Sequence, residues 1–197
     1  MSKERLLAFT DAVLAIVMTI LVLDLPQPNQ ATWEAIWDLR ESYLAYVISF
    51  FGLTIMWNNH HNIFQLVHHI NGRVLWANTW MLFAASLFPY TTRFVEEHFY
   101  SFVAELVYGL VFMFLSLGYF AVYYALIKAD PQNNSLRYAV NRHRKIVLDF
   151  TIKIVGIIIG FWFPPAILLS TIIAMSIWVI PERRAEIVLT NKTDSDQ

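Results

Sequence analysis

Residues 5–25, RLLAFTDAVLAIVMTILVLDL, form an apolar run long enough to cross a bilayer, yet Arg5 opens it and Asp11 sits within its first turns. A membrane-spanning helix needs about 20 consecutive, mostly apolar residues. A carboxylate inside one is costly and usually meets a partner in protein or a watery cavity. With an advance of about 100° per residue, Ile16, Ile20 and Leu23 share one narrow stripe. Thr19 lies beside it, and Ala12, Phe9 and Arg5 continue it toward the start of the run. Asp11 lies about 140° away from Ile16 around the axis, and Arg5 about 120° away from Asp11. The two charges therefore cannot pair within one helix, and each must reach another helix or subunit. Asp11 reads as a clamp that fixes this helix in a bundle while the isoleucine stripe faces elsewhere. Nearly every position from Val13 to Leu23 is apolar, so the pattern leaves open whether the stripe meets a pore, a neighbouring helix or lipid.

A basic start followed by an apolar stretch also describes a secretory signal. Thr10 and Asp11 interrupt the run early, no small-x-small cleavage site precedes Pro26, and further apolar runs follow, which argues against that reading. Of 197 residues, 57% are hydrophobic and only 15% charged; soluble domains are roughly 45–50% apolar and about 25% charged. The mean hydropathy is +0.49. The apolar residues come in long runs at 6–25, 43–67, 74–95, 99–127, 146–163 and 166–180. The expected fold class is an all-α membrane protein with six transmembrane helices per chain. Residues 1–181 form one transmembrane domain and 182–197, ending in NKTDSDQ, a polar cytoplasmic tail. Pro164 and Pro165 separate the last two spans, because proline removes a donor and clashes with the preceding turn; a tight helical hairpin is expected there. Cysteine is absent, which excludes disulfides and thiolate chemistry. No basic cluster exceeds a short loop, so a nucleic-acid partner is not expected.

Lys and Arg mark cytoplasmic loops. With the N-terminus inside, the inside segments hold Lys3, Arg5, Arg73, Lys128, Arg137, Arg142, Arg144, Lys145, Arg183, Arg184 and Lys192, whereas the outside ones hold only Arg40 and Arg93. Both termini are therefore expected in the cytoplasm.

Other polar groups carry weaker signals. His61 and His68 share a helix face but stand two turns, roughly 10 Å, apart, too far for one metal ion. His60 or His61 reads as an interhelical hydrogen-bonding group, with a pH-responsive role as the sharper alternative; His68 and His69 read as interfacial. Asp149 and Lys153, four residues apart, can neutralise each other on one helix, although Lys153 or Arg5 could instead meet Asp11. Trp33, Trp37, Tyr43, Trp76, Trp80, Trp162 and Trp178 read as interfacial belt or packing. Arg142–Lys145 reads as a topology determinant.

Arg5-x-x-x-Phe9-Thr10-Asp11 at the start of a first membrane helix resembles the Arg-x-x-x-Phe-Ser-Asp motif of the transmembrane protein 175 family of potassium-permeable channels. Thr10 replaces the family serine and keeps its hydroxyl. The resemblance extends to the six-span plan and to MWNNHHNIF, where Trp57, His60 and His61 look like family positions. It implies a homotetramer whose first helices line a central pore. It further implies an apolar constriction at Ile16, Ile20 and Leu23 and a hydroxyl layer at Thr19 that contributes to selectivity. The motif residues would hold helices together. The carbonyl filter Thr-Val-Gly-Tyr-Gly is absent, since VYGLVF at 107–112 does not match it; weak to moderate preference for potassium over sodium is expected.

The sequence thus points to a potassium-permeable cation channel in a prokaryotic cytoplasmic membrane, with lipid and monovalent cations as partners and permeant K+ in place of a cofactor. The rival is a secondary transporter, for which broken helices or paired repeats are expected; the first run is unbroken. An enzyme would need a convergent acid, base or metal set, which these residues do not form.

Overall fold

A computed structural model describes residues 2–140 and 143–179; Arg142, Arg183, Arg184, Lys192 and the polar tail lie outside the described residues. Nine helices run through the described residues, with no strand among them. The first, α1 (Lys3–Leu23), begins where the Ser2 hydroxyl accepts the Arg5 N–H and ends ahead of Pro26, which biases Leu25 away from helical backbone. A short α2 (Trp33–Asp38) follows, capped by Thr32, with none of its residues buried. The long α3 (Arg40–Gln65) returns across the bundle. Asn71 then caps α4 (Gly72–Ser86) by accepting the Arg73 and Val74 N–H groups.

The third apolar run is not one helix. It divides at Leu87 into α4 and α5 (Phe88–Glu97), with Pro89 in the first turn of α5. Proline has no N–H to give the Ala85 carbonyl and its ring crowds that turn, which hydropathy alone does not register. The break is nonetheless well paired. The Leu87 N–H reaches the Ala84 carbonyl, and both the N–H and the hydroxyl of Thr91 reach the Leu87 carbonyl. Phe88 is wholly buried, edge-on to Phe112.

Next comes α6 (Phe102–Ala129), then the short α7 (Asn134–Val140), which the sequence reading leaves as loop. The hairpin α8 (His143–Gly160) and α9 (Ala166–Val179) closes the described chain, turning at Pro164 and Pro165 as expected. Helices α1 and α6 are each long and apolar enough to cross a membrane, and α9 is apolar but shorter.

Two pairs of helices approach most closely. In α4 and α6, a Cβ added at Gly118 would stand 2.8 Å from the Met81 Cα. In α8 and α9, a Cβ on Gly156 would stand 2.0 Å from the Ser170 hydroxyl. Small residues let helix backbones approach where lipid supplies no hydrophobic drive. Tyr108, Phe64, Phe88 and Leu126 fill the centre. Within it the hydroxyls of Ser49, Thr92 and Tyr108 bond one another and tie α3, α5 and α6 together.

Candidate functional site

Helix α1 has two distinct faces. Leu6, Thr10, Leu14, Val17 and Leu21 are buried against α3, α4 and α5. On the opposite side Phe9, Ile16, Ile20 and Leu23 stand open, Ile16 59% and Leu23 79% exposed. The stripe singled out in the sequence is thus the face that this chain leaves uncovered. Thr19 is exposed beside it; its hydroxyl donates to the Ile16 carbonyl at 2.8 Å, which leaves the oxygen lone pairs at the open surface.

The rotation of α1 is held from the other side. Asp11 Oδ1 accepts the Trp57 indole N–H at 2.8 Å. The Trp57 ring stacks on His61, with centroids 5.6 Å apart and planes at 30°. The Gln65 amide in turn donates to His61 Nε2 at 2.9 Å, so the imidazole proton belongs on Nδ1. Asp11 therefore reaches another helix, as its position demands, and its partner is Trp57 of α3. The alternative in which Lys153 reaches Asp11 is overturned: Lys153 Nζ donates to Asp149 Oδ2 at 2.8 Å and to the Ser116 hydroxyl at 2.7 Å. Arg5 is exposed, and no carboxylate of the described residues lies within ion-pair distance of it.

Beside this pair, toward the start of α1 and the end of α3, a buried chain of polar groups joins three helices. His60 Nε2 lies 2.9 Å from Asn78 Oδ1. Asn78 Nδ2 donates to Thr10 Oγ1 at 2.8 Å, and Thr10 donates to the Leu6 carbonyl at 2.9 Å. Since the Asn78 amide nitrogen already serves Thr10, its oxygen must accept, and His60 carries its proton on Nε2. All three residues are at most 1% exposed. The chain runs from α3 through α4 to α1, so the hydroxyl that Thr10 shares with serine is the feature it needs. Asn78 was not singled out in the sequence; its only signal is one amide in an apolar run.

The remaining histidine expectation changes in part. His68 does not merely face the interface: its Nδ1 lies 3.3 Å from Asp130 Oδ2 and 3.1 Å from Asn133 Nδ2. Asn133 also donates to the Leu66 carbonyl, while Lys3 Nζ donates to the Val67 carbonyl. The start of α1, the α3–α4 loop and the end of α6 thus meet at one node. The Asn133 amide, followed by His68, holds the Asp130 carboxyl below its ordinary value.

A second polar group sits among α3, α6, α8 and α9. Trp178 Nε1 donates to Asp149 Oδ1 at 3.1 Å, completing the Asp149–Lys153–Ser116 set beside a cavity of about 60 Å³. Among the described residues no three His, Asp or Glu side chains gather closely enough to hold a metal ion.

Long apolar helices, low charge and an all-helical bundle fit an integral membrane protein. Comparison with known proteins narrows this. The family model for the endosomal/lysosomal potassium channel TMEM175 matches residues 5–89, the segment that contains the whole Asp11–Trp57 and Thr10–Asn78–His60 arrangement. A potassium channel of Chryseobacterium sp. (strain P1-3) is 33% identical over 186 residues, covering 94% of this chain and 97% of that one. A potassium channel of Streptomyces collinus is 33% identical over 140 residues, covering 65% and 68%. The crystal structure of a lysosomal potassium-selective channel TMEM175 homologue from Chamaesiphon minutus shares the fold, with a TM-score of 0.68 at 24% identity over 89% of this chain and 95% of that one. The chain belongs to the TMEM175 family.

Proposed function

We propose that this chain forms a potassium-permeable channel as a homotetramer in a cell membrane, crossing it six times with both termini in the cytoplasm. Helices α1, α3, α4 with α5, α6, α8 and α9 supply the six crossings. The observation that carries the reading is the open stripe of Ile16, Ile20 and Leu23 on a helix whose other face is fully packed. One helix cannot enclose a path, but closed cyclic symmetry sets several copies of the same stripe around an axis. A ring of isoleucines there excludes ions by dewetting. Thr19, with its lone pairs on the same open side, replaces part of the shell that a cation sheds. The Asp11–Trp57 bond and the Asn78 chain fix which face α1 turns outward, so the motif acts by positioning. The names of the potassium-channel relatives support the cation.

The transporter reading gains one feature, the break at Leu87. That break is closed by its own hydrogen bonds and by burial of Phe88, whereas transporter sites are built from unwound backbone left free for the cargo. The test is electrical. Purified protein in planar bilayers between potassium and sodium solutions is expected to show discrete unitary currents, with a reversal potential displaced toward potassium. Thr19→Val is expected to reduce that displacement. Slow, non-unitary flux would favour a transporter, and an unaltered reversal potential in Thr19→Val would remove Thr19 from selectivity.

A further inference from the structure

A cationic site stands on the outer flank of the bundle, away from α1. Helices α4 and α6 run antiparallel with Met81 against Gly118. Eight residues from that crossing, about 12 Å along each helix, Arg73 and Leu126 lie at one level, so Trp76, Tyr124 and Lys128 fall within a turn of it. All four polar or amphipathic side chains are exposed, Trp76 at 77% and Tyr124 at 63%. Lys128 Nζ stands 4.4 Å from the centre of the Tyr124 ring, and Arg73 is the second cation whose charge reaches the Tyr124 phenol. Among the described residues no carboxylate pairs with either cation. From this corner an apolar face descends into the membrane: Trp80 and Phe83 on α4 and Leu117 on α6 are each about half exposed, and Trp80 and Phe83 pack on Phe114.

We propose that Arg73 and Lys128, with Trp76 and Tyr124, form a binding site for the phosphate of an anionic phospholipid of the cytoplasmic leaflet, its acyl chains lying along the α4–α6 face. Charge complementarity selects this occupant. Two unpaired cations flank one spot at the depth where amphipathic rings mark the headgroup boundary, and the surface below is apolar. The ring holds Lys128 in place without neutralising it. A second copy of the chain matches poorly. On the same side its described carboxylates are Glu4, Asp11, Asp130 and Asp149; Asp11 already bonds Trp57, Asp130 bonds His68 and Asn133, and Asp149 bonds Lys153 and Trp178. Each basic residue near an anionic leaflet contributes roughly a fivefold change in affinity.

The placement rests on the proposed orientation, and its test does not depend on conduction. Native mass spectrometry of the purified assembly exposed to equal phosphatidylglycerol and phosphatidylcholine is expected to show preferential retention of phosphatidylglycerol. Arg73→Gln and Lys128→Gln should each lower that preference roughly fivefold. Arg137→Gln, which removes one exposed cytoplasmic charge elsewhere, should leave it intact. If Arg73→Gln fails to assemble, Lys128→Gln against Lys128→Arg decides the matter alone, since only the charge-preserving change should retain the lipid. Equal losses in Arg137→Gln would mean diffuse charge and no site. Undiminished preference in the Arg73 and Lys128 variants, or none in the wild type, would overturn the proposal, as would dissociation of the assembly by Lys128→Gln, which would make this corner a contact between copies.

Discussion

Asn78 uses both ends of its amide on neighbours, so its replacement orphans two groups at once. Asn78→Leu leaves the His60 N–H and the Thr10 oxygen buried without their partner. A buried polar group left unsatisfied costs about 1–3 kcal/mol, and a lower unfolding midpoint of the purified assembly should report it, whereas Thr10→Ser keeps every hydrogen bond and should sit close to wild type. An unshifted midpoint in Asn78→Leu would mean that the chain contributes nothing to holding α1. The Asp11–Trp57 pair allows a sharper measurement. Trp57→Phe keeps an aromatic ring to stack on His61 and removes the indole donor; the ring area lost with it cancels in a double-mutant cycle. In an Asp11→Ala background that change should cost only the lost ring area, so the double-mutant cycle should return a coupling of about 1–3 kcal/mol; zero coupling would show that Asp11 is held by something else. The sequence made the need for a partner legible, because Asp11 lies about 120° around the helix from Arg5 and inside an apolar run. It could not name Trp57 over Arg5 or Lys153, because helical angles within α1 say nothing about which helix lies alongside. Asn78 was invisible for a related reason: a lone polar residue among apolar ones has no periodicity.

Elements are set by the same local chemistry, but their contacts depend on what a backbone approach permits. The α8–α9 hairpin announced itself through Pro164 and Pro165. The closeness of the two helices did not, because it rests on Gly156 facing Ser170. A side chain at 156 must push the helices apart: Gly156→Val should lower expression of folded protein and its unfolding midpoint, and Ser170→Gly in the same chain should recover part of the loss. Failure of that recovery would show that the strain lies elsewhere. Pro89 was equally visible, yet the third run read as one span because hydropathy averages over a break. At the node formed by His68, Asp130 and Asn133 a pH effect follows. A carboxyl held below its ordinary value when folded contributes stability that is present above about pH 4 and is lost as pH falls through the lowered value. Asn133 is the largest cause of that lowering at Asp130. Asn133→Ala should therefore reduce this contribution: the loss of unfolding midpoint on acidification should still set in at about pH 4 but be smaller, and be complete at a higher pH, than in the wild type. Identical acid profiles would remove Asp130 from the node's stability.

At the scale of the molecule, the proposed orientation rests on Lys and Arg that gather in alternate connections between the apolar runs, whereas assembly leaves no such pattern, because no single chain displays its symmetry axis. What a chain can display is a face it leaves uncovered. On α1 that face carries Ile16, about 160° around the axis from the buried Leu14. The two positions are near in sequence and equally apolar, so polar substitution separates the roles. Ile16→Asn places an amide on the open face, where a dewetted ring would become wetted, and should give larger resting currents from an assembly of normal size. Leu14→Asn places the same amide inside the bundle without a partner and should lower stability without producing an open channel of normal size. The pair controls for the general effect of polarity on the helix. Were Ile16→Asn to yield stable assemblies with unaltered current, its stripe would be facing lipid or a neighbouring subunit, and the path for ions would have to run between other helices.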